Sequence, residues 1–271
     1  MNIFSNTMAD MNWPAIKCST EENAVVLLPL GVIEQHGPHL CTATDIYTAH
    51  IYCNAVKQKL ESAGYAVIIA PPFYWGVCQS AKGFPGTFNI RAETAQALLY
   101  DMLASLKDFG FERVFGINTH GDVEHKIAAM NAFKDASERL EIAACFPYEE
   151  FFTQHMGLSS GEPYFYEIKP QQITVSCAAV SDVHAGDIET ATIYTYYPQL
   201  VDVETAKSLP DVPLGDNWGA WMFGGQLKNI SPNGYLGSPA SFESVDISRN
   251  VDDNARRITD GILAKINNLT H

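Results

Sequence analysis

The chain alternates between short apolar runs and segments in which apolar residues recur with the period of a helix. Continuous apolar runs lie at residues 24–31 and 66–72 and end in Gly or Pro, and shorter runs lie at 113–118 and 141–148. Uninterrupted apolar runs of this length are typical of strands buried on both faces, as in a parallel sheet. We therefore predict four buried strands.

The segments between these runs have apolar residues spaced three and four apart, which predicts helices that cover the strands. Such segments lie at 46–60, 99–106 and 123–133, and Gly64 and Gly110 stand where helices would end. Repeated strand–helix–strand units predict an α/β fold with a mainly parallel sheet and helices on both faces. We predict a single domain over residues 1–271.

Composition narrows the classes of function. The 271 residues carry a net charge of −14 with 17 Lys and Arg residues, which argues against binding to nucleic acid or to anionic membranes. The N-terminus lacks the pattern of a secretory signal, and the apolar runs are shorter than a membrane span. Six scattered cysteines without a C-x-x-C pair predict reduced thiols. We expect a cytoplasmic protein.

Candidate metal ligands follow two of the predicted strands. Glu34 and His36 come directly after the first strand, Asp45 begins the next helix, and His120 follows the third strand. Residues two apart in an extended segment point to the same side, and active sites of open α/β sheets lie at the carboxyl ends of their strands. Two imidazoles and two carboxylates suit Zn, Mn or Fe(II), and one carboxylate can bridge two ions. The alternative is that each His is a hydrogen-bonded structural residue.

A second polar cluster lies at residues 181–190. It contains His184 and Glu189, for which we consider the roles of a proton carrier and a further metal ligand. The alternative is a loop that leads into a helix, where acidic residues favour the helix dipole. The residues alone leave both open.

Taken together, these motifs resemble the creatininase (creatinine amidohydrolase) family. The resemblance spans roughly residues 25–240, in the order of the family's motifs. The matching segments are GVIEQHGPHL at 31–40 with Thr-Asp at 44–45, FPGT at 84–87, NTHG at 118–121, HAGDIET at 184–190 and GYLGSPA at 234–240.

The resemblance implies a three-layer α/β/α fold, two divalent metal ions (Zn, Mn or Fe) and a homo-oligomer, often a hexamer. It assigns Glu34, Asp45 and His120 to one ion, with Asp45 bridging to a second ion. His36 and Glu189 would complete the site of that second ion. The implied activity is metal-assisted hydrolysis of a carbon–nitrogen bond, with His184 as the proton-transfer residue.

The sequence also departs from the family pattern. Asp122 stands where creatininase has Glu, which makes it a candidate acid/base group or alternative ligand with a shorter reach. Cys78 replaces a usual hydroxyl and is expected to line the pocket rather than act as a nucleophile. Val180 and Ser181 lie where creatininase has an aromatic residue that stacks on its substrate. Cys78, Gly121, Val180 and Ser181 are therefore the predicted substrate pocket.

The leading hypothesis is a metal-dependent amidohydrolase acting on a small cyclic amide or formamide, with creatinine itself disfavoured by the missing aromatic residue. A metallopeptidase-like enzyme that trims a modified peptide is the second hypothesis. A catalytically inactive, metal-binding oligomer is the third. We expect the segments 148–180 and 207–240 to select the substrate.

Overall fold

The structure, a computed structural model, describes residues 2–150, 159, 161–217 and 227–269. Within these residues, five parallel strands form one sheet in the order β2-β1-β3-β4-β5. The strands are β1 Val25–Leu30, β2 Val67–Ile69, β3 Arg113–Asn118, β4 Ala143–Glu149 and β5 Phe165–Ile168. All four predicted strands are present. Strand β5 was not predicted because it is only four residues long and includes an exposed Glu.

Helices connect and cover these strands. In the described part of the chain they are α1 Trp13–Glu21, α2 Thr44–Ser62, α3 Ala92–Phe109, α4 Val123–Arg139, α5 Asp187–Tyr196, α6 Val203–Ser208, α7 Leu227–Ile230 and α8 Ile247–Leu269. Helix α3 ends at Gly110 in the left-handed conformation, as its position predicted. The predicted helices correspond to α2, α3 and α4, each of which extends beyond the predicted range.

The sheet lies between two helical layers. Alternate residues of β1 point to opposite faces: Val26 and Leu28 pack with α3 and α4, whereas Val25 and Leu27 pack with α2 and α8. All four side chains are fully buried, which explains the uninterrupted apolar run. The predicted three-layer α/β/α fold with a parallel sheet is confirmed.

The order of the strands decides where the site lies. Strands β1 and β3 are neighbours, and their last residues, Leu30 and Asn118, are paired. The polar residues that follow each strand therefore leave the sheet side by side. Thr119 strengthens this edge, since its hydroxyl donates to the backbone carbonyl of Asp45 at the start of α2 (2.8 Å).

Two parts of the predicted substrate-selecting segments, 151–158 with 160 and 218–226, lie outside the described residues. The described helices include none long and apolar enough to cross a membrane. The division of the chain into one domain stays a prediction.

Candidate metal centre

Four of the predicted ligands meet at the carboxyl ends of β1 and β3. Glu34, His36, Asp45 and His120 are all buried, with at most 3% of each residue exposed. The approach of α2 depends on Gly31, because a Cβ there would lie 2.8 Å from the Cβ of Asp45. The sequence places a residue without a side chain at the one point where the first turn of the helix meets the strand end.

The Asp45 carboxylate lies between the two imidazoles. Its Oδ1 is 3.3 Å from Nε2 of His36, and its Oδ2 is 2.9 Å from Nδ1 of His120. Glu34 Oε1 lies 3.0 Å from the same His120 nitrogen. A carboxylate with one oxygen directed to each of two imidazoles has the arrangement expected of a bridging ligand.

The hydrogen bonds of the two rings leave one nitrogen of each free to bind a cation. Nδ1 of His36 lies 3.1 Å from the backbone carbonyl of Glu34, and Nε2 of His120 lies 3.1 Å from that of Val77. A carbonyl only accepts, so each of these nitrogens carries a proton and the other nitrogen of each neutral ring has a lone pair. Both lone pairs face carboxylates, which is unfavourable unless a cation lies between them.

The pKa values of these residues also indicate that the site holds positive charge between the imidazoles and the carboxylates. Burial alone would lower the pKa of His36, but the carboxylates of Asp45, Glu189 and Glu34 outweigh it and raise the pKa to about 10. The pKa of His120 is raised well above its usual value, against the effect of burial, by Glu34 and Asp45. The pKa of Asp45 is lowered despite burial because of His120 and His36. In this site a proton on each ring takes the place of a cation.

These residues fit divalent ions. Among the described residues, Nε2 of His36 and Oδ2 of Asp45 are buried atoms without a hydrogen bond of good geometry. In the part of the chain that the structure describes, three clusters have ligand atoms within 4.8 Å of one another: His36 with Asp45 and Glu189, Glu34 with Cys78 and His120, and Glu34 with His36 and His184. The first cluster matches the predicted site of one ion, and the second shares Glu34 and His120 with the predicted site of the other.

Glu189 is brought to the site by helix α5. Its Oε2 lies 3.7 Å from Nε2 of His36 and accepts a hydrogen bond from the backbone of Ala185 (2.6 Å). Burial, together with the carboxylates of Asp182 and Asp45, raises the pKa of Glu189 to about 8. Asp182, which sequence reasoning missed, positions this ligand, because its carboxylate accepts from the backbone N–H of Glu189 (2.9 Å) at the start of the helix.

His184 lies against the same site. Its ring is 4.4 Å from that of His36, and its Nδ1 is 4.0 Å from Oε1 of Glu34. Burial and the nearby His36 lower the pKa of His184 to about 4. The ring is therefore neutral near neutral pH, with one nitrogen directed to the candidate ligands.

Gln35 holds the His184 ring and was not among the predicted site residues. Its backbone carbonyl is 2.9 Å, and its side-chain Nε2 3.1 Å, from Nε2 of His184. The carbonyl accepts from a protonated ring nitrogen and the amide donates to a bare one, so the ring is held in either tautomer. Gly234, at φ +76°, makes room, since a Cβ there would lie 2.1 Å from Oε1 of Gln35. The position of Gln35 between Glu34 and His36 was the available signal.

Asp122 has a structural position. It caps α4 by accepting from the backbone of His125 (3.2 Å), and its other oxygen accepts from the backbone of Gln79 (2.7 Å) and Ser80 (3.1 Å). Both carboxylate oxygens are therefore occupied by backbone amides of its own helix and of the Gln79 segment. The predicted acid/base or ligand role of Asp122 stays a prediction, and its contacts favour capping.

The four predicted pocket residues do not come together. A cavity of about 340 Å³ beside the site is lined by His120, Gly121 and Glu189, with Lys126, Glu149 and Arg257 among its other lining residues. Cys78 is fully buried next to Glu34 instead. Val180 is half-buried and Ser181 exposed, and neither lines this cavity. A larger cavity, about 600 Å³, lies between β5 and α8 and contains none of the predicted site residues.

Comparison with known proteins gives consistent matches. The family model of creatininase, described as creatinine amidohydrolase, matches residues 9–258. A mycofactocin precursor peptide peptidase of Mycobacterium ulcerans (strain Agy99) is 27% identical over 242 residues, covering 86% of this chain and 84% of the relative. A creatinine amidohydrolase of Pseudomonas putida is 22% identical over 193 residues, covering 69% of this chain and 70% of the relative.

Solved structures agree on the fold. A mutant creatininase of the Zn-Zn type has a TM-score of 0.66 at 18% identity, covering 96% of this chain and 98% of the other. A structure described as creatininase with Mn has a TM-score of 0.61 at 19% identity, with 97% of each chain covered. At these identities the likeness concerns the fold.

Fold, site and comparisons together define a metal-dependent amidohydrolase. The chain belongs to the creatininase family, whose model covers most of its length. The family resemblance that the sequence motifs indicated is confirmed.

Proposed function

We propose that this chain binds two divalent metal ions and hydrolyses a carbon–nitrogen bond of a small cyclic amide or a formamide. Glu34, Asp45 and His120 would hold one ion. His36 and Glu189 would hold the other, with Asp45 shared between the two. The donor set of imidazoles and carboxylates suits Zn, Mn or Fe(II), and the related structures with zinc and with manganese support the first two.

The observation that carries this proposal is the pair of imidazoles at Asp45. Each ring donates one N–H to a backbone carbonyl and directs its other nitrogen at a carboxylate, 3.3 Å away for His36 and 2.9 Å for His120. Second contacts of this kind orient metal-binding histidines and fix their tautomers. Two neutral imidazoles would direct lone pairs at this one carboxylate, so positive charge is required between them, either a proton on each ring or metal ions.

The bound ions would supply an activated water and a polarised carbonyl. His184 is placed to move the proton that hydrolysis requires, because its neutral Nδ1 faces the site while Gln35 holds its other nitrogen. It can accept a proton from the attacking water and deliver it to the departing nitrogen. The neighbouring cavity, about 340 Å³, is of a size for a small substrate.

A second candidate is the trimming of a peptide. The peptidase of Mycobacterium ulcerans is matched over 86% of this chain, compared with 69% for the creatinine amidohydrolase of Pseudomonas putida. The replacement of the substrate-stacking aromatic residue by the Val180 segment also favours a substrate other than creatinine. The cavity wall is polar, since it includes the ion pair of Lys126 with Glu149 (2.8 Å), and a polar wall suits the end of a peptide.

The deciding experiment compares substrates on one metal-loaded preparation. The protein is reconstituted with Zn or Mn, its metal content is measured, and new amine is detected after incubation with cyclic amides, formamides and short peptides. A chelator-treated sample is the control. Amine from small amides is expected. Amine from peptides alone would replace the first candidate with the second, and less than about half an ion per chain after reconstitution would contradict both.

We also propose a cytoplasmic homo-oligomer. The six cysteines are free, as expected in a reducing compartment. Tyr74, Trp75 and Phe88 form an aromatic cluster in which Trp75 and Phe88 are exposed, and a surface of this kind is commonly covered by another chain. Light scattering of the purified protein tests this proposal, and a mass equal to one chain would contradict it.

A further inference from the structure

Cys78 lies inside the candidate metal centre rather than in the wall of the cavity. It has no exposed surface, and its Sγ is 2.7 Å from Oε2 of Glu34. The sulfur, a Glu34 oxygen and a His120 nitrogen all lie within 4.8 Å of one another. The backbone N–H of Cys78 donates to Oδ1 of Asn89 (2.8 Å), which anchors the segment.

The other buried cysteines have different surroundings. Cys53 and Cys145 pack in the apolar core between the sheet and helices α2 and α8. The nearest polar partner found for Cys145 is the carbonyl of Pro163, 3.7 Å away. Of the six cysteines, Cys78 is the one whose sulfur faces two of the candidate ligands.

A second observation shows that this corner of the site accommodates a cation. Oδ2 of Asp45 is buried and makes no hydrogen bond of good geometry within the described residues, although it is 2.9 Å from Nδ1 of His120. The contact with the Val77 carbonyl uses Nε2 of His120, so Nδ1 is the nitrogen available to a metal ion. Carboxylate oxygens, a ring nitrogen and a sulfur are thus directed at one small volume.

We propose that the sulfur of Cys78 is a ligand of the ion held by Glu34, Asp45 and His120, and that it makes this site select zinc or cobalt over manganese. The proposal rests on the metal site proposed above and adds its fourth protein ligand. As the sulfur–metal bond forms, the S–H bond breaks and its proton leaves to solvent. Thiolate is a soft ligand that Zn²⁺ accepts readily, whereas Mn²⁺ prefers oxygen.

Cobalt substitution tests the bond directly. The chain is loaded with Co²⁺, and its near-ultraviolet absorption is measured for the thiolate-to-cobalt charge-transfer band. Three proteins are compared: the unchanged chain, Cys78→Ser and the control Cys53→Ala. Serine retains a donor to Glu34 but has no sulfur, so it isolates the effect of the sulfur. We expect the band in the unchanged chain and in the control, and its loss in Cys78→Ser.

Two further measurements make the result decisive. X-ray absorption of the zinc-loaded chain is expected to show a zinc–sulfur distance of about 2.3 Å that Cys78→Ser lacks. Competition between Zn²⁺ and Mn²⁺ is expected to show a preference for zinc that falls at least about tenfold in Cys78→Ser, as for the loss of a contact that tunes a metal site.

The outcomes separate this proposal from the proposed function. If cobalt binds, with its visible bands and turnover present, but the unchanged chain has no charge-transfer band, Cys78 is not a ligand and the hydrolase proposal stands. If the chain binds neither cobalt nor zinc, both proposals are wrong. A band that persists in Cys78→Ser would also exclude this cysteine as the source of the sulfur.

Discussion

The strongest test of the metal centre is the substitution Asp45→Asn. The Asp45 carboxylate directs one oxygen to Nε2 of His36 (3.3 Å) and the other to Nδ1 of His120 (2.9 Å). Asparagine keeps the shape of the side chain but removes the charge and replaces one oxygen with an N–H donor. The change therefore affects both ions at once and leaves the packing of α2 against Gly31 in place.

The expected loss of affinity is large. At an effective dielectric constant of about 20, a unit charge and a divalent ion about 4 Å apart interact by roughly 8 kcal/mol, of which water and the amide oxygen recover part. A net loss of about 3 kcal/mol per ion corresponds to roughly a hundredfold weaker binding. With metal at about a hundred times the dissociation constant, the unchanged chain gains roughly 2.7 kcal/mol of stability per ion, whereas the variant at the same concentration gains roughly 0.4 kcal/mol per ion.

The assay is the rise in Tm on addition of zinc to metal-free protein, together with the metal content after dialysis. For two bound ions we expect a rise in Tm of roughly 10–20 °C for the unchanged chain and about 2–3 °C for Asp45→Asn. Measuring the rise within each protein cancels any difference in their metal-free stability.

The matched control is Asp122→Asn. Asp122 is also a buried aspartate at the start of a helix, where it is the N-cap of α4. Unlike those of Asp45, its oxygens accept from backbone N–H groups. Asparagine is a good N-cap for His125 but its NH2 group cannot accept from Gln79 and Ser80, so this variant is expected to lose some stability and to retain its metal. If Asp45→Asn binds two ions with unchanged affinity, the assignment of Asp45 as the bridging ligand is refuted. Loss of metal in Asp122→Asn would show that Asp122 is a ligand after all.

Three further predictions concern the surroundings of the centre and the packing of α8 on β5. His184→Ala is expected to retain its metal and lose turnover by roughly two orders of magnitude, measured by metal analysis and kinetics; loss of metal would mean that His184 is a ligand. Gly234→Ala places a Cβ 2.1 Å from Oε1 of Gln35 at a φ of +76°. We expect the free energy of unfolding measured in urea to fall by about 2 kcal/mol and turnover to be reduced. Unchanged stability and turnover would contradict the role of this turn. Gly261→Ala places a Cβ 2.2 Å from the backbone oxygen of Glu167 and forces α8 away from β5. We expect the free energy of unfolding to fall by about 2 kcal/mol with the metal content unaffected. An unaltered Tm would show that the helix adjusts freely.

Much of the fold could be predicted because its signals are local. The apolar runs of β1 and β2 reflect burial on both faces of a parallel sheet, and a helical period marks α2 to α4. Strand β5 could not be predicted in this way. It is short, and it joins the sheet through its pairing with β4, from Phe146 with Phe165 to Glu149 with Ile168, which is a long-range contact.

The candidate site also has a part that the sequence predicts and a part that depends on long-range contacts. The sequence by itself determined which residue types follow each strand, so Glu34, His36 and His120 were candidates before any distance was known. Only the tertiary structure decided what each neighbouring group does. Asp122 was predicted as an acid/base group or ligand and Cys78 as a pocket residue, yet the first accepts from backbone amides and the second faces Glu34. The reason is physical. The period of a strand or helix is a property of residues that are neighbours in the sequence. The partner of a buried carboxylate or thiol depends instead on segments that meet only when the chain folds.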